Sequence, residues 1–336
     1  MKLKLTAASL ALVTVAAGAA QAEKLIVAHG FQPSHATVQH GIEPWMACVT
    51  EKSGGDIEFD HYPSGQIAGF QQAIHSMNSG LTDVTAVSPP YENSKVPLNN
   101  LTILPGMGTL AVDMTAGYRT MLTNGSAIEK EWTDNGVMPL FNGVNPPYQL
   151  IIAGEPMKTV EAIKGKKIRA GGATINMTVA ATGGVPVELP AGDMYVAMQR
   201  GTVDATVLSM TSAPAYKLEE VTKSVSSNGN FGSGHILIGM NMEKYQGLSE
   251  ANRAAVDECN LSVEAEFAKY LDDRSSEVLK EWADQGIEVY EFSEEESAKL
   301  SDMLSSVAED FVAKLVENGV ANARETYEQY QAVLAK

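Results

Sequence analysis

The chain has 336 residues, of which 44% are hydrophobic and 19% are charged, as in ordinary globular proteins. Lys and Arg number 24 against 41 Asp and Glu, so the formal net charge is −17 and the pI is about 4.8. This acidic balance leaves no basic surface for a nucleic-acid backbone or an anionic membrane, and we expect neither as a partner. At this length a single hydrophobic core tends to split into two.

The first 22 residues have the pattern of a secretory signal peptide. Lys2 and Lys4 form a positive n-region, residues 5–19 are uncharged and largely apolar, and residues 20–22 make an A-x-A cleavage site. Cleavage after Ala22 removes two lysines and gives a mature charge of −17 − 2 = −19. We therefore expect export to a bacterial periplasm, because no later stretch has the ~20 apolar residues of a membrane span.

Cys48 and Cys259 are the only cysteines. An oxidising compartment permits a disulfide between them, yet two buried thiols fit the sequence equally well. Two cysteines are also too few to hold a fold of this size together. The sequence leaves both alternatives open.

Strand and helix patterns alternate along the first quarter of the chain. Residues 24–28 are typical of a strand, and residues 36–52 of a helix. Residues 57–61 alternate apolar and polar side chains, which predicts a half-buried strand, and residues 67–77 carry apolar side chains at helical spacing, with Gly80 placed to end the helix. Such β-α-β alternation predicts an α/β fold with parallel sheets covered by helices.

One nine-residue pattern, M-x-x-G-x-x-D-x-T, occurs twice, at residues 77–85 and 198–206. Each copy lies where an amphipathic helix ends on a glycine and a strand begins. Chance similarity of one helix-to-strand corner is the alternative explanation. If the repeat is real, each of two lobes contains the same unit, and the strands after Asp83 and Asp204 end at a shared cleft, where open α/β sheets bind ligands.

The last third is mostly helical. Residues 250–285 predict one long helix, which at ~1.5 Å per residue measures on the order of 54 Å and could brace two lobes. Residues 287–292 predict a short strand. Ser293 and Glu296 form a capping box that opens another helix, and Gly319 separates that helix from a C-terminal one.

The sequence carries no familiar catalytic pattern. H-E-x-x-H, C-x-x-C, G-x-S-x-G, the phosphate-binding loop and the dinucleotide-binding loop are all missing, so we expect no metal and no cofactor. Their absence favours a binding protein over an enzyme without excluding one.

One stretch of the sequence indicates a binding site. Residues 164–169 form a basic run that predicts a short strand ending on Arg169. Gly171 and Gly172 follow, and residues 174–181 predict a helix. A guanidinium at a strand's carboxyl end, beside a helix N-terminus, favours an anionic ligand. A solvated arginine in a basic cluster is the plainer alternative.

Several blocks together resemble the extracytoplasmic solute-binding proteins of TRAP (tripartite ATP-independent) transporters, of the dicarboxylate-binding (DctP) type. The blocks occur in the family's order at residues 51–55, 62–67, 79–83, 165–169, 195–204 and 237–241. The resemblance implies a two-lobe periplasmic binding protein (type II-like), with hinge strands and a long helix spanning both lobes. It divides the chain into a signal peptide (1–22), lobe I (23–147 plus about 235–270) and lobe II (148–234 plus about 271–336).

The resemblance also implies a function. Such a protein captures a small organic carboxylate between its lobes and, as a monomer without cofactor or metal, delivers it to the small and large integral-membrane permease subunits. Arg169 matches the arginine that clamps the ligand's carboxylate, usually through two parallel hydrogen bonds. A binding protein of an ATP-driven importer and an exported α/β hydrolase are the rival hypotheses.

Several positions depart from the dicarboxylate and sugar-acid binders of that family. Leu208 stands where many relatives carry an asparagine, Gln149 falls near a second arginine, and Ser88 falls near an acidic position. The expected pocket consists of Arg169, Gln149 and Ser88, walled by Phe31, Phe70, Tyr91, Tyr148, Leu208 and Met210. Core packing explains each wall residue equally well. These departures favour a monocarboxylate with an aromatic or aliphatic body.

Overall fold

The computed structural model describes residues 22–123 and 125–335, so the proposed signal peptide, except Ala22, lies outside the described residues. The strands are β1 (Glu23–Ala28), β2 (Ile57–Tyr62), β3 (Val84–Val87), β4 (Val137–Val144), β5 (Gln149–Ile152), β6 (Lys167–Ala170), β7 (Val185–Glu188), β8 (Ala205–Leu208), β9 (Ser224–Ser226), β10 (His235–Asn241) and β11 (Glu288–Tyr290). The helices are α1 (Glu43–Lys52), α2 (Ala73–Asn78), α3 (Ala111–Met121), α4 (Ala127–Asp134), α5 (Val160–Ile163), α6 (Ala173–Ala181), α7 (Met194–Gln199), α8 (Met242–Gly247), α9 (Glu250–Asp284), α10 (Glu294–Glu317) and α11 (Ala323–Leu334).

These elements build two sheets. The first has the strand order β2-β1-β3-β10-β4, and the second has the order β11-β9-β5-β8-β6-β7. The expectation of parallel sheets is wrong for one strand in each, because β10 and β5 run antiparallel to both of their neighbours. Each of these strands enters its sheet directly from the other sheet, at the cleft end, without a covering helix. It must therefore run opposite to strands that end at the cleft.

The repeated nine-residue pattern has the same structure in both sheets. Before β3, the Asp83 carboxylate accepts a hydrogen bond of 2.7 Å from the amide of Ile26 in β1. Before β8, the Asp204 carboxylate accepts one of 2.8 Å from the amide of Lys167 in β6. In each case the aspartate's own amide donates back to the carbonyl of the same residue, at 2.9 and 2.7 Å. The repeat is a structural unit that fixes one parallel strand to the next.

The long helix α9 packs against both sheets, as the sequence predicted. Cys259 and Val263 contribute to the core beside the first sheet, whereas Val278 and Trp282 contribute to the core beside the second. Cys259 forms a disulfide with Cys48 of α1, with 5.8 Å between their Cα atoms. Of the two alternatives that the sequence left open, the structure therefore has the disulfide. This bond ties α9 to the first sheet's side.

The C-terminal helices connect the two halves again. Ser293 caps α10 as predicted, accepting from the amide of Glu296, but the Glu296 carboxylate accepts from the amide of Val160 at the start of α5 and does not close the capping box. Helix α11 packs on α3, where the Tyr330 hydroxyl donates to the carbonyl of Met114 at 3.2 Å. Helix α11 packs on α10 as well as on α3, and the lobe boundaries drawn from the sequence stay a prediction.

Candidate functional site

A compact cavity of about 70 Å³ lies between the cleft ends of the two sheets. Strand β3 ends just before Ser88 and strand β8 ends at Leu208, and both of these residues line the cavity. The two copies of the repeated unit therefore end at one cleft. The cavity brings together seven of the nine expected site residues, namely Phe31, Phe70, Ser88, Tyr91, Tyr148, Arg169 and Leu208.

Arg169 supplies the cavity's charge. Its side chain is only 3% exposed, and among the described residues that line the cavity it alone carries a formal charge. Its Nε donates to the carbonyl of Leu189 at 3.0 Å, and its Nη2 donates to the Tyr91 hydroxyl at 3.3 Å. Gly171 makes room for the guanidinium, because a Cβ there would lie 2.8 Å from Nη2. A buried cation without an acidic partner in the cavity wall favours an anionic ligand.

Aromatic rings form the first sheet's side of the cavity. Phe31 meets Phe70 edge to face, with 4.7 Å between the ring centroids, and Phe70 stacks on Tyr91 with 5.4 Å between them. Phe31 also stacks on His35 at 4.1 Å. Such a wall offers flat, apolar surface to a ligand body and accepts few hydrogen bonds.

Two tyrosines from other elements complete the wall near Arg169. Tyr148 lies in the crossing between β4 and β5, and Tyr216 lies in the turn after β8. Burial raises the pKa of both phenols above the usual range, although the Arg169 guanidinium opposes the rise. Both hydroxyls therefore stay protonated at neutral pH and can donate hydrogen bonds.

Residues around the cavity join the two halves of the molecule by direct contact. The hydrogen bond between Tyr91 and Arg169 crosses from the first sheet's side to the second. Nearby, Gly172 has a φ of +94° and packs so closely that a Cβ would lie 2.5 Å from the Cβ of Pro90. His35 meets Tyr216 edge to face at 5.9 Å. The two sides are thus closed on one another around the cavity.

Gln149 and Met210 do not line the cavity, unlike the other seven expected residues. The Gln149 amide nitrogen donates to the carbonyls of Pro147 and Gly229, and its oxygen accepts from the Ser226 hydroxyl and the Gly229 amide. Its polar atoms are engaged in holding the chain after β9. Met210 packs in the second sheet's core.

Several residues that line the cavity were not predicted from the sequence, among them His35 and Tyr216. The repeat alone did not indicate the first, because it contains neither β1 nor β6. The pairing of β1 with β3 and of β6 with β8 brings the residues after β1 to the same cleft as Arg169 and Gly171. Tyr216 follows a turn whose course no local pattern revealed.

A larger cavity of about 250 Å³ opens between α10, α11 and residues 105–107. Serine, asparagine, glutamine, one tyrosine and apolar side chains line it, without a charged side chain among the described residues. Nothing in its wall selects an anion. The cleft cavity is therefore the better candidate site.

The described residues contain no cluster of three or more His, Cys, Asp or Glu that could hold a metal ion. His29 and His61 form a pair, joined by a hydrogen bond of 2.8 Å between their Nε2 atoms. Within the described ranges, no helix is both long and apolar enough to cross a membrane.

The two sheets that meet at a cleft are an architecture shared with solved solute-binding proteins. A TRAP solute-binding protein of Rhodoferax ferrireducens T118, solved with copurified benzoate, superposes with a TM-score of 0.85 at 22% identity, over 93% of this chain and 98% of that one. A marine-metagenome TRAP solute-binding protein specific for aromatic acid ligands, solved with 3-hydroxybenzoate, gives a TM-score of 0.87 at 19% identity, over 94% and 98%. At these identities the likeness shows the fold.

Sequence comparison shows the family. Residues 27–315 match the DctP family, the bacterial extracellular solute-binding proteins of family 7, and the chain belongs to it. The outer membrane transporter protein TsaT of Comamonas testosteroni is 25% identical over 334 residues, 99% of this chain and 98% of that one. A solute-binding protein of Albidiferax ferrireducens is 27% identical over 214 residues, a match that spans 62% of each chain. The family confirms the predicted TRAP class and favours neither rival hypothesis.

Proposed function

We propose that this protein binds a small organic monocarboxylate in the cleft cavity, with Arg169 as the carboxylate's partner. The proposal rests on the buried guanidinium of Arg169, the only formal charge among the described residues that line the cavity. A carboxylate that leaves water requires a charged partner, and the planar guanidinium offers two parallel donors. One positive charge in the wall matches one negative charge on the ligand.

The aromatic wall supports a ligand with an apolar, ring-sized body. Phe31 and Phe70 offer flat surface, and Leu208 offers no hydrogen bond to a second polar group. A polar group buried there without a partner costs about 1–3 kcal/mol. Related proteins of this fold have been solved with benzoate, 3-hydroxybenzoate and mandelate. We therefore expect benzoate to bind more tightly than succinate or malate.

Ligand binding acts by closing the two halves. A ligand held by Arg169 on one side and by the aromatic wall on the other stabilises only the closed arrangement, so it shifts the equilibrium towards it. In this role the protein, exported after cleavage at Ala22, acts as a monomer without catalysis. It passes its ligand unchanged to the small and large permease subunits.

The test is ligand calorimetry on Arg169→Ala, first with ligand copurified from the native host and identified by mass spectrometry. Loss of the guanidinium leaves a buried carboxylate unpaired, which costs on the order of 3–5 kcal/mol and corresponds to roughly a few-hundred- to few-thousand-fold loss of affinity. Lys167→Ala is the matched control, because it removes the same charge from an exposed neighbour in β6. Arg169→Lys keeps the charge without the fork and should also bind weakly.

Thermal melts without ligand separate a binding role from a structural one. Both Arg169 variants should stay folded, with melting points lowered only by the lost hydrogen bonds to Leu189 and Tyr91, since the larger cost arises when ligand is present. If Arg169→Ala binds within about threefold of wild type, or melts far lower without ligand, the carboxylate-clamp hypothesis is wrong. Turnover of the bound compound would instead support the exported hydrolase.

A further inference from the structure

His35 ends a series of ring contacts that begins at Arg169 and runs through Tyr91, Phe70 and Phe31. Its imidazole is only 4% exposed and lines the cavity. The ring stacks on Phe31, with an angle of 27° between the planes, and meets Tyr216 of the other side edge to face. His35 is thus held between an aromatic ring from each half of the molecule.

A backbone hydrogen bond fixes which ring nitrogen of His35 carries the proton. The amide of Thr37 donates to Nδ1 at 3.1 Å, so Nδ1 acts as an acceptor and carries no proton. Burial lowers the pKa of His35 to about 3, so the ring is neutral at ordinary pH. In a neutral imidazole the proton then belongs to Nε2, which makes Nε2 a donor.

Within the described part of the chain, the Nε2–H of His35 has no acceptor. Since Nδ1 is turned towards the backbone, Nε2 is the nitrogen available to the cavity that the ring lines. This nitrogen is not among the fully buried polar atoms that lack a partner, so it keeps access to the cavity, where a ligand oxygen can accept from it.

Three aromatic rings lie between the imidazole of His35 and the guanidinium of Arg169. From Arg169 the wall runs through Tyr91, Phe70 and Phe31 to the imidazole, with ring centroids 5.4, 4.7 and 4.1 Å apart in turn. A ligand that reaches both ends has a carboxylate, a flat apolar body and a second oxygen. That oxygen is uncharged, because no second cation among the described lining residues would offset a buried second carboxylate.

We propose that His35 determines specificity by donating from Nε2 to a hydroxyl, ether or keto oxygen on the ring of an aromatic monocarboxylate. The inference rests on the proposed function, because Arg169 must hold the carboxylate for the ring oxygen to meet His35.

The experiment compares benzoate with its 3- and 4-hydroxy and 3- and 4-methoxy derivatives by calorimetry. Two variants dissect the imidazole. His35→Asn places an amide oxygen near the position of Nδ1, so it can still accept from Thr37, but it has no group at the position of Nε2. His35→Gln places its amide nitrogen near the position of Nε2 and keeps a donor there. Thermal melts without ligand establish that each variant is folded.

In wild type, the best of the four derivatives should bind at least tenfold more tightly than benzoate. In His35→Asn that preference should fall below twofold, while the affinity for benzoate changes less than threefold. His35→Gln should retain a preference of at least threefold. A wild type that prefers none of the derivatives, or a His35→Asn variant that keeps the tenfold preference, overturns the inference.

These outcomes are separable from the test of the proposed function. If benzoate binding depends on Arg169 but no derivative is preferred, the carboxylate clamp stands and the role of His35 is wrong. If wild type binds none of the five benzoates, the aromatic ligand class is wrong, and the Arg169 variants with the copurified ligand still decide the clamp.

Discussion

The two sheets share one construction and differ in what they bring to the cleft. In both, an aspartate before one strand accepts from the amide of a parallel neighbour, Asp83 on β1 and Asp204 on β6. The segment after β1 presents Phe31 and His35 to the cavity, whereas the carboxyl end of β6 itself presents Arg169. The cleft ends of these equivalent strands therefore offer aromatic and imidazole groups on one side and a cation on the other.

Under the proposed function, this difference lets two units of the same construction recognise a ligand with two unlike ends. Hydrogen bonds near the starts of the strands fix the geometry, and they are the same in both halves. The side chains at the ends of the strands face the cavity, and they can vary without disturbing those bonds. A ligand with a carboxylate at one end and an uncharged ring at the other matches that division, and four changes test it.

The disulfide is the strongest asymmetry between the two halves. Cys48 and Cys259 lie 211 residues apart in sequence, and the cores of the first sheet's side surround them. Replacing both with alanine, or reducing the bond, should lower the free energy of unfolding by about 2–5 kcal/mol. Urea unfolding measures the loss, and hydrogen exchange should place it in α1 and α9. The disulfide does not stabilise the first sheet's side selectively if the free energy of unfolding falls by less than about 1 kcal/mol, or if hydrogen-exchange protection falls equally near β6. Ligand affinity is the control and should stay within twofold.

The paired aspartates test whether the two units are equivalent. Asp83→Ala and Asp204→Ala each leave a backbone amide without its acceptor, so each should lower the free energy of unfolding by about 1–3 kcal/mol. The corresponding asparagine variants keep an acceptor oxygen and should lose less. Equal effects in the two halves support a common unit. If only one of the alanine variants is destabilised, the repeat is a similarity of sequence without a shared role.

Gly171 tests how closely the cation's position is set. A Cβ at Gly171 would lie 2.8 Å from Nη2 of Arg169, so Gly171→Ala should displace the guanidinium and weaken ligand binding roughly tenfold, about 1.4 kcal/mol. Gly192→Ala is the control, because a Cβ there would meet no atom within 4 Å. Calorimetry that gives the same affinity for both variants would show that the guanidinium tolerates the shift.

The burial of His35 should make the free energy of unfolding depend on pH. Burial lowers the pKa of His35 to about 3, whereas an unfolded histidine titrates near 6.5. Below pH 6.5 the unfolded chain binds a proton that the folded chain does not, so stability falls as pH falls from about 6.5 towards 3. From pH 7 to pH 6 this one group accounts for a loss of about 0.7 kcal/mol. His35→Asn should remove that share of the loss, and His75→Asn, at an exposed histidine, is the matched control. Equal pH dependence in the two variants would contradict the burial of His35.

The sequence predicted what local patterns encode. The helix α9 follows from 35 residues of uninterrupted pattern between Ser249 and Gly286, and the equivalence of the two corners follows from four matched residues within nine positions. Arg169 was placed at a strand end by the glycines after it. In each case the residues that define the feature are neighbours in the chain.

Features that depend on distant segments were not predictable in the same way. Gln149 was expected to read the ligand, yet its amide bonds to Ser226 and Gly229, some 80 positions away. Met210 has an apolar side chain that would suit a cleft wall, but the turn after β8 directs it into the core. The antiparallel directions of β5 and β10 follow from the point at which each strand enters its sheet. No spacing within either strand encodes that point.

The position of β10 also determines when the molecule can fold during synthesis. This strand lies between β3 and β4, yet the ribosome makes it only after β5 to β9 of the other sheet. A nascent chain that stops before residue 235 exposes the edges of both β3 and β4, and unpaired edges favour aggregation over folding. Helix α11, which covers α3, is made later still. Most of the cleft is therefore encoded early, and the last third of the chain decides when it takes shape.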